Sequence, residues 1–458
     1  MKFSEHFTYR KILRYSVAPV VMMLFTSLYS VTDGLFLSNF AGKEAFAAVS
    51  FIIPYLMMFN STGFMFGTGG SALIAKRLGE KKDREANEIF TTLICVSVLT
   101  GILFTVVGIA LLRPVALMQG AQGELLENSI IYGQIYLLGA PACIIQFEFE
   151  SLYSTSGKSK RGLYSTVISG GTNIVLDAVF LGIFSWGITG AAVATVISQW
   201  IGGLIPFFYY GRKNNSLLRI VKCKLRLKEM LKVCANGSSE MVNNISMSIV
   251  SLLFNIQLLA YAGDDGIAAF GIMMYLNFMF TAVFWGYVSG ISPVISYQYG
   301  AENHEELKSL LRKSLVLIGG CSMLMFIISE MLAKPVSLIF VRYDKDLLAM
   351  TIHGFYVFSF IFLFEGFAVF CSSFFTALNN GLISAFLSFS RVFIFQVPAI
   401  LLFPVFWGLD GIWISVVTAE LMTVILGFFF IIKCRKRYRY WDGKNRKNTA
   451  SQKVHKKN

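Results

Sequence analysis

The chain has 458 residues, of which 55% are hydrophobic and only 14% charged, against roughly 25% charged in an ordinary soluble domain. So little charge cannot cover a soluble surface; disordered, collagen-like and disulfide-scaffold classes are excluded as well, and the length of the apolar runs excludes outer-membrane barrels. The net charge of +14, from 40 basic and 26 acidic residues, points in so apolar a chain to membrane topology rather than to nucleic acid.

A bilayer-crossing helix needs about 20 mostly apolar residues. Twelve such segments are expected, at 12–39, 46–75, 89–112, 129–153, 163–184, 190–210, 234–262, 267–298, 314–333, 349–375, 382–406 and 411–432. The apolar run after Lys2, Arg10, Lys11 and Arg14 is long and has no small-residue cleavage site, so it reads as the first helix rather than a signal peptide. With the N-terminus inside, 34 of the 40 basic residues fall in inside segments. The outside holds Lys43, Arg113, Lys334, Arg342 and Lys345, and Arg391 lies within a span. That bias places both termini in the cytoplasm of a multi-pass cell-membrane protein, with the basic tail at anionic lipid. The 7 cysteines show no metal or redox spacing.

The two halves of the chain match at a constant offset of 221 residues. Gly42 pairs with Gly263, Gly79 with Gly300, Arg113-Pro114 with Lys334-Pro335, Gly133 with Gly354, and Gly187 with Gly408. The reading is an all-α polytopic membrane protein of two pseudo-symmetric six-helix bundles, 1–210 and 234–432. A basic cytoplasmic linker, 211–233, joins them, and a basic tail, 433–458, follows. Six crossings per bundle give both the same orientation, as in transporters with parallel repeats.

Ionisable groups at membrane depth are costly and mark function or a local partner. The candidates are Asp33, Glu148, Glu150, Asp177, Glu240, Glu365, Arg391 and Glu420. Asn173 stands four residues before Asp177, on the same helix face, and Thr195 of the next span can reach the same cavity. Such a carboxyl can take a proton from one side and release it on the other. The repeat partners of Asp33 and Asp177 are Phe254 and Pro398, so this acidic pair belongs to the first half alone. Glu240 and Glu365 are a separate candidate pair in the second half, although Glu240 also fits a first-turn residue complementing the helix dipole. At least one of Glu148 and Glu150 is expected to pair with a basic group near 157–162, and Arg391 to be the counter-ion of one of the acids. Met22, Met23, Met57, Met58, Met65, Met273, Met274 and Met279 lie on helices expected to face a cleft between the bundles, where they suit varied apolar ligands, packing or lipid contact being the commoner role for any one of them. Gly63, Gly67, Gly69 and Gly70 are expected to let helices approach closely.

Several segments together resemble the multidrug and toxic compound extrusion (MATE) transporters. Leu28 to Gly34, Ala41-Gly42, Ala47 to Ser50, Gly69 to Ala75 and Arg77-Leu78-Gly79 look like the family's first two helices. Asn173 to Asp177 and Gly190 to Thr195 look like its fifth and sixth. Ser390-Arg391 through Pro398, with Gly408 and Gly411-Ile412-Trp413, looks like its eleventh and twelfth. The resemblance covers nearly the whole chain and is similar to the DinF-like or MepA-like bacterial branch.

It implies a two-lobed antiporter, not an enzyme, that exports drug-like and often cationic small molecules in exchange for H⁺ or Na⁺. Asp33 and Asp177 would form the coupling site, which could hold Na⁺, with Asn173 and Thr195 supporting it. Glu240, Glu365 and Arg391 are secondary candidates, because the family's other pattern uses acids on helices 7 and 10. No cofactor, no nucleic acid and a monomer in the bilayer are expected. Two other classes make different demands on the sequence. A flippase for a lipid-linked saccharide predicts a basic central cavity. An intramembrane aspartyl protease would need a Gly-Xaa-Gly-Asp segment, which is absent. No Gly-Lys-Ser/Thr phosphate loop is present either, which argues against ATP drive.

Overall fold

The computed structural model describes residues 3–222, 225–342 and 344–440, so the tail beyond residue 440 lies outside the described residues. The first three crossings are single helices: α1 (Tyr9–Ala41), α2 (Glu44–Gly79) and α3 (Asp83–Met118). The fourth, α4, is a pair of limbs, Gly123–Leu137 and Ala140–Thr155, bent by 63°. Then come α5 (Ser159–Ile183), α6 (Gly187–Gly211), α7 (Leu227–Gly263), α8 (Asp265–Gly300) and α9 (His304–Val341). The tenth, α10, is again a bent pair, Lys345–Phe358 and Ile361–Ala377, at 44°. The remaining helix, Gly381–Tyr438, is 58 residues long. It breaks at Gly408 (φ 57°, ψ −134°), so it makes two crossings, α11 (381–407) and α12 (409–438). Twelve crossings result among the described residues.

The bends in α4 and α10 do not follow from hydropathy, because both limbs are apolar. Each bend is held by a side chain from the neighbouring long helix. Thr105 Oγ1 of α3 donates to the Leu137 carbonyl at 2.7 Å, and the Ser359 hydroxyl donates to Glu330 of α9. The linker is shorter than expected, because α7 begins at Leu227 rather than near 234.

The repeat is visible in backbone geometry. Gly42 (φ 92°) and its mate Gly263 (φ 61°) both turn the chain between crossings, as do Gly187 (φ 55°) and Gly408 (φ 57°). Only glycine adopts such conformations without a Cβ penalty. Mates also meet each other. A Cβ on Gly79 would lie 2.1 Å from the Tyr297 carbonyl oxygen, and one on Gly300 would lie 2.1 Å from that of Lys76. The ends of α2 and α8 therefore touch backbone to backbone. Gly69 packs on Val233 of α7 in the same way, and Gly290 of α8 packs on Ser16 of α1.

The same face carries two crossing straps. The segment before α1 docks on the second half, with Phe3 and Phe7 buried in its core. The Phe7 N–H donates to Glu306 Oε1 at 2.8 Å, and Gln298 Nε2 donates to the Phe3 carbonyl at 2.7 Å. The segment before α7 docks on the first half: the Arg219 N–H donates to Asn87 Oδ1 at 2.7 Å, and Arg226 Nε donates to Glu88 Oε2 at 2.7 Å. Each half thus grips the segment leading into the other's first helix.

Candidate functional site

In the first half, Asp33 lies shortly before a widened turn at Leu37–Ala41, and Asp177 immediately before another at Ala178–Ile183. Such π-type turns shift the register of the side chains that flank them. Asp33 faces Asp177 and Asn173 across the α1–α5 contact. Asp177 is fully buried and Asn173 nearly so. Both Asp177 carboxyl oxygens and Asn173 Nδ2 lack hydrogen-bond partners. Tyr132 of α4 faces Asp33, Asp177 and Thr195. No ion pair among the described residues includes either aspartate. The four residues expected from the sequence therefore come together.

Tyr132 is the member that the sequence reading missed. It stacks on Tyr136 with ring centroids 5.9 Å apart. An i, i+4 tyrosine pair within an apolar span was the available signal.

The second half gathers different chemistry. Arg391 lies in a third widened turn, Ser390–Gln396, just before Pro398, which cannot donate to the helical ladder. Its guanidinium grips Glu420 Oε1 through Nε at 2.7 Å and a terminal nitrogen at 2.5 Å. The same terminal nitrogen is 3.9 Å from Glu365 Oε1, which also accepts from Thr281 Oγ1 at 2.8 Å. The expected counter-ion role of Arg391 thus falls on Glu420 first.

Between the halves lies a cavity of about 280 Å³. Its polar lining includes Glu150, Glu240, Asn243 and Asn244, and its apolar lining includes Met23, Phe64, Phe278 and Trp285. The ionisable residues lining it are acidic, which is the opposite of the basic cavity that a lipid-linked saccharide would ask for. A second cavity of about 140 Å³ opens against Glu365, Arg391 and Glu420. Asn243, Met247, Phe278, Thr281 and Trp285 line both. Neither cavity is lined by Asp33 or Asp177.

Two expectations need correction, on Glu240 and on Glu148 with Glu150. Glu240 is not a first-turn residue: α7 begins thirteen residues earlier, and Glu240 is buried on the central cavity. Neither Glu148 nor Glu150 pairs with a basic group among the described residues. Glu148 takes a hydrogen bond from Ser97, and Glu150 lines the central cavity. Of the eight methionines, Met23 and Met274 line the two cavities, whereas Met57, Met58 and Met279 are exposed and Met273 is core. The glycine expectation holds: Gly63 and Gly67 press on the backbone of α4, and Gly69 presses on α7. Among the described residues no group of three or more His, Cys, Asp or Glu is arranged to hold a metal ion.

Known proteins share this architecture. The multidrug export protein MepA of Staphylococcus haemolyticus is 23% identical over 442 residues, covering 95% of this chain and 96% of its own. The MepA of Staphylococcus aureus strain MSSA476 is 23% identical over 437 residues, with 95% and 96% coverage. A crystal structure of a MATE in complex with MaL6 matches with a TM-score of 0.89 at 23% identity, covering 95% of this chain and 98% of that one. The outward-facing conformation of a multidrug resistance MATE family transporter of the MOP superfamily also matches at 0.89 and 23%, covering 95% and 97%. A family model described as MatE matches residues 19–179 and 241–402, one stretch in each half. The chain belongs to the MatE family.

Proposed function

We propose that this protein is a cation-coupled antiporter that exports drug-like, often cationic, small molecules from the cytoplasm, with its basic face and both termini on the cytoplasmic side. The observation that carries the coupling is the facing pair of Asp33, half-buried, and Asp177, fully buried, which has no basic partner among the described residues. Two carboxyls held together away from water repel when both are charged, and a proton or Na⁺ between them relieves that repulsion. Asn173, Thr195 and Tyr132 supply neutral oxygens and N–H groups around the pair.

Export is supported by the acidic, aromatic central cavity and by relatives that are named multidrug export proteins. Acids attract a cationic group, while Phe, Trp and Met accept varied apolar bodies. In the cycle, cation binding at the pair repacks α1 against α5. The halves rock about the α2–α8 contact, and the acidic cavity changes side. Each elementary charge moved inward is worth about 2.3 kcal/mol per 100 mV.

The test uses proteoliposomes with an imposed pH or sodium gradient and a fluorescent organic cation. Efflux should follow one of the two gradients in the wild type and lose that dependence in Asp177→Asn. Undiminished gradient-driven efflux by Asp177→Asn would sink the assignment.

A further inference from the structure

The second-half cavity gathers three unsatisfied oxygens beside two carboxyls and one guanidinium. Glu365 Oε2, Glu420 Oε2 and Asn277 Oδ1 are all buried without a hydrogen-bond partner, and all three residues line this one cavity. Buried acceptors left unpaired are costly, so three around one space call for a donor that enters it. Within the protein the obvious donor is committed. Arg391 holds Glu420 Oε1 with two nitrogens and stands 3.9 Å from Glu365 Oε1. With both carboxylates ionised, one guanidinium leaves one negative charge uncompensated. The walls are aromatic and apolar, with Phe254, Phe270, Phe358 and Met274 around the acids. At about 140 Å³ the space takes an ammonium head and part of a ring, and it adjoins the central cavity, with which it shares Asn243, Met247, Phe278, Thr281 and Trp285 as lining.

We propose that this branch, resting on the reading of the protein as an exporter of organic cations, is a recognition subsite for an N–H-bearing ammonium group on a flat apolar body. Arg391 is its positioning residue. A primary ammonium offers three donors to the three open oxygens and one positive charge to the residual negative one. A quaternary ammonium brings the charge without a donor and leaves all three oxygens unpaired. The subsite therefore selects on N–H content and not on charge alone, as sites built around hydrogen bonds do.

The experiment measures equilibrium binding to the full chain in lipid nanodiscs, without a gradient, using tryptamine and its N,N,N-trimethyl analogue. Tryptamine should bind about tenfold or more tightly. Glu365→Gln and Asn277→Leu should each bring the ratio toward one, while Glu148→Gln, which lines neither cavity, should leave it unchanged. Equal binding of the two probes by the wild type overturns the subsite and leaves export of organic cations standing. Binding of neither probe overturns both. Displacement of tryptamine by Na⁺ that persists in Asp33→Asn/Asp177→Asn would assign these acids to the ion and overturn the subsite.

Discussion

The two halves share a scaffold but not a charge pattern. At the repeat positions of Asp33, Asn173, Asp177 and Thr195 the second half carries Phe254, Ile394, Pro398 and Val416. At the positions of Glu365, Arg391 and Glu420 the first half carries Ile144, Gly170 and Gln199. Neither cluster is a copy of the other. Duplication kept the positions that backbone geometry dictates, the left-handed glycines and the glycine contacts between α2 and α8. It did not keep the ionisable ones. The first half holds two facing acids with no cation paired to them among the described residues; the second holds two acids with a tethered cation, Arg391. A site that must load and unload an ion benefits from the first arrangement, and a site that must hold its shape benefits from the second.

The largest effect should come from breaking the tethered pair. Arg391→Leu leaves Glu420 buried and uncompensated, which costs about 3–5 kcal/mol. The double variant Arg391→Leu/Glu420→Leu removes both charges and should recover most of that loss. Thermal unfolding in detergent measures both. A double variant no more stable than Arg391→Leu alone would mean that the pair contributes through packing rather than charge. The first half offers the contrast. Asp33→Asn and Asp177→Asn remove repulsion rather than a partner, so each should leave stability intact or raised.

What the aspartates lose is coupling. Asp177→Asn should lower gradient-driven flux on the order of 100-fold, near the upper end of ordinary coupling energies. If the two carboxyls act as one site, Asp33→Asn/Asp177→Asn should be no worse than either single change. Multiplied losses in the flux assay would instead make them separate sites.

The glycine contacts test the shared scaffold. Gly79→Ala and Gly300→Ala each push a methyl onto a carbonyl of the facing helix, at a cost of about 1–3 kcal/mol. As repeat mates in one contact they should cost similar amounts, and together less than their sum. Melting temperatures of the three variants check this, and strongly unequal singles would break the symmetry at the place where it is most visible.

These contrasts also mark what sequence could show. The twelve crossings and the 221-residue offset rest on apolar runs and glycines, which are local properties. Asp33, Asn173, Asp177 and Thr195 were legible because polar residues are conspicuous in apolar spans and two of them share a helix face. Tyr132 was not, since tyrosine is ordinary in such spans and its approach to the pair is a contact between distant helices. The choice of Glu420 by Arg391, and the placing of Glu150 and Glu240 on one cavity, depend on contacts between distant helices. Hydropathy also passes through the bends, because Ser359 and Leu137 are held by partners that hydropathy does not register.

The smallest effect separates two repeat mates, Arg77 and Gln298. In the first half Arg77 ties α2 to its neighbours by charge: it is 2.8 Å from Glu80, 3.6 Å from Glu85 and 3.9 Å from Glu229. Its repeat mate is Gln298, which does the corresponding work with a neutral hydrogen bond to the Phe3 carbonyl. Only the charged tie should respond to acid. Partial burial pushes the Glu80 carboxyl up, but Arg77 and Lys82 beside it outweigh that and hold it below its ordinary 4.5. A carboxyl held low in the folded protein stabilises it above the ordinary value and ceases to do so as pH falls through the folded one. The loss in Arg77→Gln should therefore be present in full at pH 7 and fade below about pH 4. The pair is partly solvated, so its size should stay under about 1 kcal/mol. Gln298→Ala should show a loss that does not vary over the same range. Melting temperatures of both variants between pH 7 and pH 3.5 decide it: parallel curves would mean that the two ties are equivalent and that the charge on Arg77 is incidental to its hold on α7.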